Sequence, residues 1–191
     1  EAVAIGRAIG ERVLIIATST GGGIAVWAAT QPELMHDVAA MALISPNLGI
    51  QASGSWLLTK PWGRQIAELV TGGERGFTPA NDMQRHFWTW RYPTAVTTQV
   101  AAIAELGRDA PVEQATVPAL FIISDDDRVV RPDITRRVAA RWGAPHQIET
   151  VNDSDDAGNH VLAGDALSPS TTRRLADRTV AFFSSLPRPP S

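Results

Sequence analysis

The sequence predicts an α/β fold: a mostly parallel sheet flanked by helices, with one helical insertion. Three observations carry this. Short apolar runs of strand length alternate with longer segments of helical period. The first run, "RVLIIAT", meets a serine and three glycines and then a second apolar stretch, the pattern of a strand handing over to a helix. Residues 50–108 break the alternation and hold four of the six tryptophans, which marks them as an inserted unit in a single 191-residue domain.

In chain order, "EAVAIGRAIGE" places apolar residues at 2, 3, 5, 8 and 9, close to a 3.6-residue period. A chain opening on Glu1 within such a helix is expected to lack an upstream part, and a signal peptide there is not excluded. Residues 12–18 read as a strand buried on both faces, and 20–31 as a helix stopped by Pro32. "VAAMALIS" (38–45) and "PALFIIS" (118–124) are the next buried strands, and "HQIETV" (146–151) is a fourth. Within the insertion, helices are expected near 55–70, 80–91 and 93–107. The segment 131–143 has Pro132 and Asp133 in its first turn and Gly143 as its C-cap. The segment 168–186 opens on Ser/Thr caps and carries a stripe of Leu175, Val180, Phe182, Phe183 and Leu186. "PRPPS" then reads as a frayed tail.

Composition excludes several function classes. With 44% hydrophobic and 19% charged residues the chain can bury a core. A net charge of −3 with scattered arginines gives no nucleic-acid footprint. No run approaches the ~18 apolar residues of a membrane span. Cysteine is absent, which removes disulfides, thiolate nucleophiles and Cys-based zinc sites and leaves the compartment open. No cofactor or metal is expected.

Chemistry concentrates at Ala17-Thr18-Ser19-Thr20-Gly21. A nucleophile on a sharp strand–turn–helix corner needs small neighbours, which Gly-x-Ser-x-Gly supplies. Here Ala17 stands in the first glycine position, and Gly22 and Gly23 add room behind the corner. The phosphate-binding alternatives fail on spacing. A dinucleotide fingerprint would need glycine where Val26 stands, and a Walker motif needs a lysine, whereas Lys60 is the only one. A plain glycine-rich turn remains the bland alternative.

A serine nucleophile needs a base, and the base an orienting acid, here in the chain order Ser, Asp or Glu, His. His36 and His86 come too early, and His146 opens a strand, at the wrong edge of a parallel sheet. His160 follows a strand and a polar loop, "NDSDDAGNHVLAG". The acid falls in "SDDDRVVRP", where Asp125, Asp126 and Asp127 are adjacent. Solvation of at least two of them, or ion pairing with Arg128 or Arg131, is the bland reading, and spacing does not choose among the three.

Taken together, "ATSTGGG", "SDDDRVVRP" and "GNHVLAGDALSP", with "LISPNLG" and "RYP", resemble the back half of an α/β-hydrolase of the lysophospholipase or monoacylglycerol-lipase-like group, over nearly the whole chain. The resemblance implies Ser19 as nucleophile, Asp127 as acid and His160 as base, with Ser124 in the glycine position of the acid turn. It implies an oxyanion donor in the backbone N–H of Thr20. Strands that precede the elbow in the family, and the loop among them that gives a second oxyanion donor, have no counterpart here, so a fragment of a longer protein with one uncovered sheet flank is expected. The implied activity is serine hydrolysis of small carboxylic esters, lipid-like or monoacylglycerol- or lysophospholipid-like, with an apolar acyl chain roofed by the tryptophan-rich cap; the alternative for those tryptophans is that they build the insertion's own small core. Other acyl-transfer chemistry on the same triad (peptidase, thioesterase, acyltransferase) and a non-catalytic binding protein of the same fold are the alternatives.

Overall fold

A computed structural model describes residues 1–187. Helix α1 (Ala2–Ile9) leads into strand β1 (Val13–Thr18), followed by α2 (Ser19–Ala28), α3 (Pro32–Met35) and β2 (Val38–Ile44). A 3-10 turn (Ser55–Thr59), α4 (Gly63–Thr71), β3 (Glu74–Gly76), α5 (Asp82–Phe87), β4 (Arg91–Pro93) and α6 (Val96–Arg108) occupy the middle of the chain. A second 3-10 turn (Val112–Gln114), β5 (Ala119–Ile123), α7 (Pro132–Ala140), β6 (His146–Thr150) and α8 (Pro169–Ser185) complete it. The "PRPPS" tail lies, beyond Pro187, outside the described residues.

The main sheet has the order β1-β2-β5-β6, and every pair is parallel. Side chains alternate across it with the two-residue period of a strand. Met41, Leu43 and Phe121 enter one core with Val26, Val138 and Trp142, under α2 and α7. Ala40, Leu120 and Ile122 enter a second core with Leu162, Leu175 and Phe182, under α8. Trp142 also donates its indole N–H to the Val117 carbonyl (2.9 Å) and meets Phe121 edge-on, so its polar end is satisfied inside the core.

Several expectations change in detail. β1 is not buried on both faces: Val13 alone is buried and Ile16 is 60% exposed. The reason is topological, since β1 is an edge strand. The expected 55–70 helix divides at Pro61, which cannot continue a hydrogen-bonded turn, and Trp62 takes a left-handed φ of 69°. The expected 80–91 helix ends at Phe87, because β4 pairs antiparallel with β3 in a hairpin too short to show a strand period. Helix α7 closes on Arg141 rather than Gly143. On α8, Val180 is exposed and Thr179 is buried in its place, which restores the 175, 179, 182 spacing of one helix face.

Helix α6 packs against α2 and so belongs to the layer on the sheet, although it closes the 50–108 segment. The close approach is set by glycine. A Cβ on Gly107 would stand 2.6 Å from the Gly23 carbonyl oxygen. Three tryptophans of the segment, Trp56, Trp62 and Trp88, are exposed, and the fourth, Trp90, is half-buried beneath the Arg91 guanidinium.

Candidate active site

β1 ends in the sharp corner the sequence suggested. Ser19 has φ 47°, a left-handed conformation that costs a non-glycine residue on the order of 1–3 kcal/mol and persists only where the surroundings impose it. The imposing contacts are local. The carbonyl of Ser19 accepts from the Asn47 N–H (2.8 Å), which ties the corner to the loop after β2. Gly22 and Gly23 let α2 press on that loop: a Cβ on Gly22 would lie 2.7 Å from Pro46 Cβ, and one on Gly23 2.8 Å from the Asn47 carbonyl oxygen. The motif glycine itself, Gly21, faces open space. The glycines that matter for packing are therefore the two beyond the motif.

His160 lies in the loop after β6, at the C-terminal edge of the parallel sheet, the same edge as Ser19. Its Nε2 stands 3.0 Å from Ser19 Oγ and its Nδ1 2.8 Å from Asp127 Oδ2. The Asp127 side chain is 2% exposed and the His160 side chain 12%. Asp127 Oδ1 accepts from the N–H groups of Val129 (2.7 Å) and Val130 (2.9 Å), so the buried carboxylate has partners on both oxygens. In this arrangement Nδ1 can donate to the Asp127 carboxyl while Nε2 accepts from the serine hydroxyl.

The three adjacent aspartates separate cleanly. Asp125 makes a bidentate pair with Arg136 (2.9 and 2.8 Å), not with Arg128 or Arg131. Asp126 is exposed, and only Asp127 turns inward. Arg131 pairs with Asp133 in the first turn of α7. With Arg137 added, these guanidinium groups hold the Asp133 carboxyl down to about 2. The other histidines stay apart. His36 contacts its exposed neighbour Asp37 and His86 stacks edge-on with Phe87. His146 pairs in register with Ala119 at the start of β5, the far edge of the sheet.

Three further residues hold the histidine, and sequence reasoning missed them. Asp156 Oδ2 accepts from the N–H groups of His160 and Val161 (both 2.9 Å), and its Oδ1 from Gly158 (3.2 Å). An aspartate two residues before a glycine is a turn signal that pointed there. Ser45 Oγ donates to the His160 carbonyl (2.8 Å) across 115 positions of sequence, and no local pattern announces such a contact. Ser168, read as a helix cap, makes no cap bond and instead donates Oγ to the Val161 carbonyl.

Ser19 and Thr20 open onto a cavity of about 1070 Å³. Its walls include Leu57, Leu58, Ile66, Val70, Val96 and Val100 from the 50–108 segment, with Tyr92 and none of the tryptophans. Buried Asn47 also lines it, and its Oδ1 has no hydrogen-bond partner among the described residues. No group of three or more metal-binding side chains occurs among the described residues, and no described helix is long and apolar enough to cross a membrane.

Residues 1–177 match a model of the Alpha/beta hydrolase family. Among solved structures, that of the metagenome-derived lipolytic enzymes LipS and LipT superposes with a TM-score of 0.73 at 16% identity, covering 96% of this chain and 69% of that one. A monoacylglycerol lipase of Paleococcus ferrophilus gives 0.65 at 16% identity, over 95% of this chain and 72% of that one. A soluble variant of the Saccharomyces cerevisiae monoglyceride lipase gives 0.65 at 12% identity, over 98% and 67%. At these identities the likeness is one of fold. The curated proteins contain no match.

Proposed function

The chain belongs to the alpha/beta hydrolase family, and on that premise we propose that it hydrolyses carboxylic esters with an apolar acyl chain through an acyl-enzyme on Ser19. The observation that carries the reading is the unbroken hydrogen-bonded series Ser19–His160–Asp127, opening onto an apolar cavity. Ser19 Oγ attacks the ester carbonyl carbon as its proton passes to His160 Nε2. The negative charge that develops on the carbonyl oxygen is met by the backbone N–H of Thr20, at the positive end of α2. Collapse breaks the bond to the alcohol, which leaves with the proton from Nε2. Water then adds to the acyl carbon with His160 again as base, and the carboxylic acid departs as Ser19 recovers its proton.

The 50–108 segment acts as the cap in this proposal, its aliphatic residues, not its tryptophans, holding the acyl chain. Asp127 supplies no proton. It keeps the imidazole in the productive tautomer and stabilises the imidazolium. The lipolytic neighbours support an ester substrate by fold only.

Fluorophosphonate labelling of the purified protein, with the adduct located by mass spectrometry, tests the proposal. It expects a covalent adduct on Ser19 that is lost in His160→Ala, and ester turnover that is lost in Ser19→Ala. A folded protein that gives no adduct and no turnover would overturn it, and the corner would then be a tight turn shaped for packing.

A further inference from the structure

The cavity that Ser19 opens onto carries a charge pattern that ester hydrolysis alone does not require. Among its lining residues the only charged ones are Arg75 and Arg128, and none is acidic. The chain as a whole is acidic, with a net charge of −3, so the positive lining is local.

These two arginines differ from the other described ones. Eleven others pair with carboxylates. Arg7 donates to the Leu34 and His36 carbonyls, and Arg12 lies over the Phe183 ring. Among the described residues, Arg75 and Arg128 alone have neither an ion pair nor a side-chain hydrogen bond nor an aromatic ring beneath them. Both stand at the one cavity that contains the serine.

Local structure puts each of them there. Arg75 is the central residue of β3 and faces Tyr92 across the hairpin, and Tyr92 lines the same cavity. The two-residue period sends the flanking Glu74 to the other face, where it pairs with Arg91 (2.5 Å). Arg128 follows the buried Asp127 directly, and its backbone N–H is fixed on the Gly158 carbonyl (2.9 Å), in the turn that leads to His160. A guanidinium holds five donors in a planar fork suited to carboxylate and phosphate oxygens.

We propose that the substrate is an amphiphilic anionic ester, with an apolar chain against the aliphatic wall and a carboxylate or phosphate group recognised by Arg75 and Arg128. This rests on the hydrolase reading above and names the substrate class for the same site. The two arginines are specificity-determining residues and take no part in bond making.

The test compares kcat/KM for matched ester pairs. One pair is mono-4-nitrophenyl adipate against its methyl ester, a carboxylate against a neutral group. The other is 1-hexanoylglycerol 3-phosphate against 1-hexanoylglycerol. The anionic member of at least one pair is favoured about tenfold, the range of a single charge-assisted hydrogen bond. Which pair shows it tells carboxylate from phosphate. The preference falls toward unity in the Arg75→Gln/Arg128→Gln double variant, returns in part with lysine at both positions, and weakens as salt rises from about 0.05 M to about 0.5 M. A ratio measured on one sample is insensitive to a loss of folded protein. Equal turnover of both members in both pairs, or a preference that survives the double variant, overturns this proposal and leaves the hydrolase reading intact. Absence of both turnover and Ser19 labelling overturns the two together.

Discussion

Replacing Asp127 by asparagine tests the mechanism at its least visible member. The side chain is isosteric, so the fold is kept, but its two ends are no longer alike. In the native protein Oδ1 accepts from two backbone N–H groups, Val129 at 2.7 Å and Val130 at 2.9 Å. Turning the amide NH2 toward them would set donors against donors, at roughly 1–3 kcal/mol for each unmet N–H. The amide oxygen therefore stays on that side by about 2 kcal/mol or more, a ratio of roughly thirtyfold. The NH2 then faces His160 Nδ1, where a carboxylate oxygen stood at 2.8 Å. Nδ1 becomes an acceptor, the ring proton moves to Nε2, and Nε2 donates to Ser19 Oγ where it should accept. A wrong-tautomer imidazole of this kind costs about 10⁴-fold in kcat. The assays are steady-state hydrolysis of a 4-nitrophenyl ester and the rate of fluorophosphonate labelling. Imidazole ¹⁵N spectra report the tautomer directly, Nδ1–H in the native protein and Nε2–H in the variant. An Asp127→Asn protein within about tenfold of native kcat, with its tautomer unchanged, would refute the reasoning.

Four other outcomes are expected. Ser19→Gly is more stable than Ser19→Ala by about 1 kcal/mol in chemical denaturation, because glycine accepts φ 47° without a Cβ penalty. Gly22→Ala destabilises by about 1–3 kcal/mol, since its methyl meets Pro46, whereas Gly21→Ala, facing open space, is neutral or gains up to ~1 kcal/mol of helix propensity. Asp156→Ala lowers kcat more than it raises KM, by about tenfold or more, because it frees the backbone that presents His160 without touching substrate. Asp133→Asn lowers the Tm at neutral pH. Arg131 and Arg137 hold the native carboxyl at about 2, below its unfolded value, so its stabilisation is full above about pH 4 and lost as pH falls through about 2. The Tm gap between native protein and variant closes over that window in an acid titration.

Much of the fold was legible because the sequence writes local periodicity plainly. The runs at 38–44 and 119–123 are apolar throughout, as strands covered on both faces must be, and both are central in the sheet. The run at 13–18 looks the same on paper but lies at an edge. A residue pattern does not record which neighbours a strand has. The 50–108 segment read least well. Its hairpin is three residues a side, and three of its four tryptophans, which by composition belonged in a core or a pocket, stand on the surface. Large apolar residues report burial only on average, and the final placement depends on what packs above them.

The serine and the histidine were marked by their surroundings: small residues at a strand end, and a polar loop at the proper edge of a parallel sheet. Those signals are local and survive in one dimension. Spacing did not choose among Asp125, Asp126 and Asp127, because three identical side chains differ only in where the turn aims them, and the family resemblance alone pointed to Asp127. The tertiary structure gives Asp125 to Arg136 and buries Asp127 on two backbone donors and an imidazole. Tertiary structure alone joined Ser45 to the His160 carbonyl and left the Arg75 and Arg128 side chains, at one cavity, without an ion pair or side-chain hydrogen bond among the described residues. The physical reason is the same in each case. Sequence fixes what a residue can donate, accept or bury, and packing fixes which partner comes within 3 Å.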